Sequence, residues 1–150
     1  YKKTTASTRT MPAMPGYESY AYPAHEGEKW VDINLANSTL TAYEGQTAVH
    51  GPVDINHGGA GHETVVGTFH VYQKHAAQDM GCTPEWPYCA RGVPWVSYFE
   101  GSYAMHGAPW VARFGIGSDA SSHGCINMPV EEAQWMYDWD EMGTAVVTHY

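Results

Sequence analysis

Short segments in which apolar and polar residues alternate are the feature that most restricts how this chain folds. Residues 30–35 and 39–43 alternate in this way, and alternation is typical of a β-strand with one buried face. Turn-forming residues at 36–38 and 44–46 separate these segments from each other and from a third at 47–50. The pattern therefore predicts a meander of short antiparallel strands.

Further strands are predicted along the rest of the chain. Residues 64–72 indicate a turn followed by a strand, and residues 95–99 and 102–106 flank a Glu-Gly pair that is typical of a hairpin turn. Residues 144–148 form a last apolar strand, whereas residues 73–94 are expected to be irregular. Glycine, proline, tryptophan and tyrosine are plentiful and only 15% of residues are charged, which also favours a mainly β protein.

One segment has the periodicity of a helix. Pro129 suits its first turn, and Gly143 ends it. The apolar stripe along this segment consists of Val130, Ala133, Met136 and Tyr137. The sequence therefore predicts a mainly antiparallel β domain with a single helix near its C-terminal end.

The chain is long enough for one domain with a core and too short for two. Residues 1–27 are rich in Thr, Ser, Pro and Ala and are expected to form a linker or an N-terminal arm, while residues 28–150 form the domain. The 7 basic and 16 acidic side chains argue against nucleic acid as a partner. No apolar run is long enough to span a membrane. Because the chain starts at Tyr1 rather than Met, a membrane anchor upstream stays open.

The three cysteines divide into a pair and a single residue. Cys82 and Cys89 flank a short segment with two prolines and a tryptophan. A local disulfide between them would fit an oxidising compartment. Two unrelated loop thiols are the alternative. A zinc pair is disfavoured because the spacing is long and no second pair of ligands is evident.

The third cysteine, Cys125, stands in the run Ser122-His123-Gly124-Cys125, and His106 precedes it. A free thiol is mostly protonated at neutral pH, and an imidazole that accepts its proton makes it a nucleophile. His106 falls at the end of a predicted strand, which is a rigid support for a catalytic base. Gly124 permits a sharp turn in which successive N–H groups converge on an oxyanion. The segment therefore predicts a cysteine nucleophile.

Two other chemistries remain open from the residues alone. A serine nucleophile within residues 118–122 lacks the Gly-x-Ser-x-Gly turn that exposes such a serine in hydrolases. A centre built from His106, His123 and Cys125 would resemble that of a zinc hydrolase. The histidines of residues 57–62 lie in a glycine-rich loop, and the chain contains no His-Glu-x-x-His motif.

The residues around Cys125 resemble the L,D-transpeptidase catalytic domain, the YkuD-type family of bacterial cell-wall enzymes. The family signature is a histidine, a spacer, and then Ser/Thr-His-Gly-Cys followed by a hydrophobic residue and Asn or Arg. His106, residues 107–121 and residues 122–127 match it at every position. Residues 66–69 resemble its Gly-Thr-Phe element, and the chain is similar to the mycobacterial-type branch. The implied fold is an antiparallel, β-sandwich-like domain with one helix after the nucleophile loop.

By this resemblance the domain would cross-link peptidoglycan. Cys125 would attack the third residue of a donor tetrapeptide stem, release the terminal D-alanine and form a thioester. The side-chain amine of a second stem would then join the two third residues. His106 would act as general base and later as general acid, with its ring oriented by the backbone carbonyl of Gly107. The N–H groups of His123, Gly124 and Cys125 would form the oxyanion hole.

Other site residues follow from the same resemblance. Ser122 and Asn127 are expected to support the loop, and Tyr98 and Trp110 to line the pocket or belong to the core. His123 would either position the substrate or only shape the loop. No metal or organic cofactor is implied. Donor and acceptor stems are the expected partners, β-lactams of the carbapenem type the expected inhibitors, and the cell envelope outside the cytoplasm the expected location.

Two rival functions from other classes stay open. The first is an inactive wall-binding module, against which the intact His106 and Cys125 argue. The second is a cysteine-dependent amidase or carboxypeptidase that cuts stems; in papain-like amidases the cysteine precedes the histidine, whereas here His106 comes first. The chain also departs from the family. Val65 stands where proline is frequent, and the segment between Cys82 and Cys89 falls where a substrate lid is expected.

Overall fold

The computed structural model describes residues 25–84, 89–118 and 121–150, which form nine strands and one helix. The elements are β1 (Lys29–Asn34), β2 (Thr39–Glu44), β3 (Thr47–Asp54), β4 (Gly67–His70), β5 (Gln73–Gly81), β6 (Cys89–Glu100), β7 (Tyr103–Gly107), β8 (Ile126–Met128), α1 (Val130–Trp139) and β9 (Ala145–His149). The predicted N-terminal arm lies outside the described residues up to residue 24. Within the described ranges, no helix has the length and apolar character needed to cross a membrane.

The first sheet has five strands in the order β3-β2-β1-β9-β4. Strands β1 to β3 form the antiparallel meander that the alternation predicts. Strand β9 pairs in parallel with β1, with Ala145 opposite Trp30, and antiparallel with β4. The last strand therefore lies inside the sheet, and all of its residues are buried.

The second sheet has four strands in the order β5-β6-β7-β8. Its first two pairings are antiparallel, whereas β7 and β8 are parallel, with His106 opposite Asn127. Parallel neighbours require a crossover connection. Here residues 108–125 make that connection, and it carries Cys125 back to the start of β8, beside β7. The pairing of β7 with β8 thus brings together the two parts of the sequence motif, His106 and the segment that contains Cys125.

Apolar side chains from both sheets pack in one core, so the domain is a sandwich in which α1 covers part of the four-stranded sheet. The rings of Phe69 on β4 and Phe99 on β6 lie 5.9 Å apart between the sheets. Fully buried members of this core include Val31, Ile33, Leu40, Ile126, Met128 and Val146.

The helix is fixed to the four-stranded sheet at its C-terminal end. Lys74 of β5 donates hydrogen bonds to the carbonyls of Tyr137 and Asp140, at 2.6 and 2.8 Å. Its ammonium group also lies 2.8 Å from the carboxylate of Asp140. A cation at this end complements the helix dipole and caps the last carbonyl groups. The buried residues Ala133 and Met136 belong to the apolar stripe that predicted the helix.

One expectation about the fold needs correction. Residues 73–94 are not irregular, because β5 and the start of β6 occupy most of them. Strand β5 lies at a sheet edge and none of its residues is buried, so backbone pairing rather than apolar alternation defines it. The sheets are mainly antiparallel, as predicted, and β1–β9 and β7–β8 are their parallel pairs. The mainly β class and the helix after the Cys125 loop are confirmed.

Candidate active site

The register of the four-stranded sheet places the predicted site residues on one face. His106 lies opposite Asn127, and Tyr98 lies opposite Ala104, two residues before His106. Because side chains alternate between faces along a strand, Tyr98, His106 and Asn127 point the same way. Cys125 precedes Asn127 by two residues and opens on the same side.

This face forms the floor of a cleft of about 770 Å³. The catalytic candidates Cys125, His106 and His123 line it, as do the binding candidates Ser122, Asn127, Trp110 and Tyr98. The predicted residues Gly107 and Gly124 do not line it. Ser102 and Tyr103, which the sequence analysis did not single out, contribute to the wall. The volume lies in the range typical of small-molecule and cofactor sites.

His106 is buried, and its imidazole is held by one backbone contact. The ring Nδ1 lies 2.9 Å from the carbonyl oxygen of Gly107. A carbonyl only accepts, so Nδ1 carries the proton and Nε2 keeps its lone pair. Burial lowers the pKa of His106, and the bond to Gly107 opposes that shift only in part. The ring of Trp110 lies 5.9 Å away. The imidazole of His106 is therefore neutral at neutral pH.

Cys125 is a free cysteine whose thiol is also neutral. Its Sγ lies 3.5 Å from the carbonyl oxygen of Ser102, in the turn between β6 and β7. The side chain packs against a small apolar cluster that includes Ala104 and Val96. Burial in this setting raises the pKa of the Cys125 thiol to about 11. The resting site thus pairs a protonated thiol with a neutral imidazole, not a thiolate with an imidazolium.

Burial also affects the tyrosine beside the thiol. It raises the pKa of the Tyr98 hydroxyl, and a negative charge on Cys125 would raise it further. The phenol therefore stays protonated and keeps a hydrogen-bond donor near the sulfur.

The loop before Cys125 is shaped by Ser122 and Gly124. Ser122 Oγ accepts the N–H of Gly124 at 3.0 Å and donates to the carbonyl of Cys125 at 2.5 Å. Gly124 has φ +128°, and a Cβ there would lie 2.3 Å from the Tyr103 ring. Only glycine fits this backbone and this contact. The predicted oxyanion hole included the N–H of Gly124, yet in this structure Ser122 already occupies that donor.

A second loop supports the nucleophile loop from the side. The N–H of Ser122 donates to the carbonyl of His57 at 3.1 Å, and the N–H of Gly59 donates to the carbonyl of Ser122 at 3.0 Å. The rings of His62 and His123 meet edge to face, with their centroids 4.7 Å apart. The glycine-rich loop of residues 57–62 is therefore a structural partner of the loop that carries Cys125.

One rim of the cleft is formed by the end of the β5–β6 hairpin. A disulfide joins Cys82 and Cys89 there, and Cys89 lines the cleft. Asp79 and Arg91 of the same hairpin also line it and form an exposed ion pair at 3.5 Å. The rim thus presents one charge of each sign beside the disulfide.

A metal centre receives no support from the part of the chain that the structure describes. No three His, Cys, Asp or Glu side chains gather there in a group able to hold an ion. The zinc arrangement of His106, His123 and Cys125 is therefore not formed.

Comparison with protein families matches residues 28–148 to the L,D-transpeptidase catalytic domain, YkuD. The match spans most of the chain and includes both parts of the cysteine–histidine motif. This chain belongs to the L,D-transpeptidase catalytic domain family. A comparison with curated proteins finds no significant match.

Solved L,D-transpeptidases share the fold. A mutant of the Enterococcus faecium enzyme is 22% identical with a TM-score of 0.74, over 83% of this chain and 50% of that one. The Mycobacterium smegmatis enzyme is 23% identical with a TM-score of 0.72, over 82% and 59%. The E. faecium catalytic domain acylated by ertapenem is 23% identical with a TM-score of 0.70, over 84% and 100%. The chain thus spans only 50% and 59% of the first two structures.

Proposed function

We propose that this domain cross-links peptidoglycan stem peptides through a thioester on Cys125. The observation that carries the proposal is the pairing, in one cleft, of a free thiol with an imidazole whose Nδ1 is bound to the Gly107 carbonyl. That tautomer leaves Nε2 as the base. Family membership supports the reaction class.

In the first half-reaction, Cys125 Sγ attacks the carbonyl carbon of the third stem residue. The thiol proton passes to His106 Nε2 as the C–S bond forms, because both groups are neutral at rest. The negative charge moves onto the carbonyl oxygen. When this intermediate collapses, the C–N bond to the terminal D-alanine breaks, and its nitrogen takes the proton from His106. A covalent intermediate replaces one difficult step by two easier ones.

In the second half-reaction, the side-chain amine of an acceptor stem attacks the thioester. His106, neutral again, accepts a proton from the attacking nitrogen, and the C–S bond breaks. Cys125 then regains a proton from His106 and leaves as a thiol. The product is an amide between two third residues. Water in place of the amine would give a shortened stem, which is the carboxypeptidase outcome.

The oxyanion would be held mainly by the backbone N–H of Cys125. This revises the expectation from the sequence, since the N–H of Gly124 is bound to Ser122 Oγ. His123 lines the cleft directly before these residues and is the candidate for a second donor. Removing one such donor typically slows catalysis by roughly 100- to 1000-fold.

Substrate and location follow from the same proposal. Tyr98 and Trp110 would contact the stem on the floor and rim of the cleft, since Trp110 is 55% exposed. Asp79 and Arg91 offer partners for the amine and carboxylate groups of stems. The disulfide between Cys82 and Cys89 suits an oxidising compartment outside the cytoplasm. The proposed domain covers residues 28–150.

The first test is intact-protein mass spectrometry after incubation with a carbapenem. We expect one covalent adduct on the parent protein and none on Cys125→Ala, because only the thiol acylates. Circular dichroism should show that the variant keeps its fold. An adduct of equal yield on Cys125→Ala would exclude Cys125 as the nucleophile.

The second test separates joining from cutting. The protein is incubated with purified disaccharide tetrapeptides, and the products are separated by mass. We expect dimers linked through their third residues, together with free D-alanine. Shortened monomers without dimers would instead assign the domain as a carboxypeptidase.

A further inference from the structure

Thr64 is a buried polar residue that joins the glycine-rich loop to the catalytic loop. Only 3% of its surface is exposed. Its Oγ1 accepts the N–H of Gly58 at 3.0 Å and donates to the carbonyl oxygen of Gly124 at 2.8 Å. Because Gly58 N–H can only donate, the hydroxyl proton is free to point at Gly124. The threonine is therefore a directed donor to the residue before the nucleophile.

The carbonyl that Thr64 holds belongs to the same peptide unit as the N–H of Cys125. That unit is planar and trans, so its C=O and N–H point in opposite directions. A hydrogen bond that fixes the oxygen therefore fixes the direction of the N–H on the other side. Ser122 holds the two neighbouring peptide units, through Gly124 N–H and the Cys125 carbonyl.

We infer that Thr64 is a positioning residue of the oxyanion hole, which it aligns by holding the Gly124–Cys125 peptide. This inference rests on the proposed function, because it assigns the Cys125 N–H to the developing oxyanion. Thr64 is not among the residues that line the cleft around the thiol. Its effect should therefore be confined to reactions in which a carbonyl oxygen gains charge.

The surroundings of Thr64 leave little freedom for another arrangement. A Cβ on Gly58 would lie 2.0 Å from the carbonyl oxygen of His62 and 2.8 Å from the N–H nitrogen of Thr64. The glycine therefore lets the loop close tightly enough for its N–H to reach the threonine hydroxyl. Two loops far apart in sequence thus meet at one side chain.

The test compares two reactions of the same thiol in Thr64→Val, which keeps the shape and removes the hydroxyl. Acylation by a carbapenem passes through an oxyanion, whereas alkylation by iodoacetamide displaces iodide and forms none. We expect Thr64→Val to slow acylation by about 10- to 100-fold, a part of the loss of a whole donor. Alkylation should change by less than about twofold. Thr64→Ser, which restores the hydroxyl, should recover most of the acylation rate.

Thr148→Val is the matched control. Thr148 is a fully buried threonine whose Oγ1 likewise accepts a backbone N–H, from Gly67 at 3.0 Å, and donates to a carbonyl, that of Val65, at 2.6 Å. Neither of these two bonds involves the loop of residues 122–125. We expect it to lower the melting temperature as Thr64→Val does, and to leave the ratio of acylation to alkylation unchanged. If Thr64→Val does not fold, Thr64→Ala takes its place.

The outcomes separate the inference from the proposed function. Equal loss of acylation and alkylation in Thr64→Val, or an unchanged acylation rate, overturns the positioning role while the parent protein still acylates. A parent protein that is alkylated at Cys125 but never acylated overturns the proposed function, and the inference with it.

Discussion

Two buried histidines, one in each sheet, have opposite surroundings. His149 in the five-stranded sheet is fully buried, and its Nε2 lies 2.5 Å from a carboxylate oxygen of Asp32. His106 in the four-stranded sheet is almost as buried, yet the one hydrogen bond of its imidazole to the described residues runs from Nδ1 to the carbonyl of Gly107. One imidazole is paired with a charge, and the other with a neutral dipole that leaves a nitrogen for the cleft.

The difference lies in what the partner leaves available on each imidazole, and it fits a structural role for His149 and the proposed catalytic role for His106. A carboxylate partner occupies Nε2 of His149 and fixes the end of β9 to β1. A carbonyl partner orients His106 without adding a negative charge, so burial lowers its pKa and keeps it neutral. A neutral imidazole is the form that accepts a proton from a thiol whose pKa is raised to about 11.

The largest expected effect is on stability in the five-stranded sheet. His149→Leu should lower the free energy of unfolding by roughly 3–5 kcal/mol, because it removes the imidazole that pairs with the Asp32 carboxylate in a buried setting. Urea titration measures this loss. The double variant Asp32→Leu/His149→Leu should be more stable than His149→Leu, since it removes both members of the pair, including the carboxylate charge. Acylation of the folded fraction should be unchanged. A slower acylation rate would show that His149 also affects the reaction.

The next effect is on rate in the four-stranded sheet. His106→Ala should slow acylation of Cys125 by at least about 100-fold, the lower scale of general-base catalysis, which corresponds to about 2.7 kcal/mol of barrier. Stopped-flow fluorescence with a carbapenem measures it, and His149→Leu is the control at the same pH. An unchanged acylation rate in His106→Ala would show that His106 is not the general base.

The disulfide at the cleft rim should act on stability rather than on chemistry. Its cysteines are separated by 7 positions, and closing so short a loop contributes about 2.5 kcal/mol in the chain-entropy model. Cys82→Ser/Cys89→Ser should lose about that amount in urea titration. Alkylation of Cys125 in the folded variant should stay within about twofold of the parent. Unchanged stability would contradict the expected contribution.

The smallest effect is a pH dependence that tests the neutral pair. The pKa of His106 lies below its ordinary 6.5, so the base is already neutral above that pH. Acylation should be flat from pH 6.5 to about 9, and should fall about tenfold per pH unit below the pKa of His106. The parent protein should show a thiolate absorbance only near pH 11. Cys125→Ala should lack this absorbance. A thiolate signal at neutral pH would instead indicate a charged pair.

The sequence predicted the parts of this protein that local pattern specifies. Alternation located β1, β2 and β3, because burial of one sheet face repeats every second residue. Helical periodicity located α1, because burial of one helix face repeats with the period of the helix. The spacing of His106 and Cys125 predicted the family that the comparisons show. The edge strand β5 could not be predicted in this way, because none of its residues is buried and its pattern has no apolar repeat.

Residue type and local order thus determined by themselves that this is a mainly β chain with a cysteine, a histidine and a glycine turn suited to acyl transfer. Tertiary structure alone decided the pairings that the sequence pattern did not predict, among them the parallel pairing of β7 with β8 that brings His106 beside Asn127. It also decided that Ser122 takes the N–H of Gly124 and that Thr64 takes its carbonyl. The physical reason is that alternation reports which face of a strand is buried but not its partner. A hydrogen bond such as that between Thr64 and Gly124, 60 residues apart in sequence, exists only once the register of the whole sandwich is set.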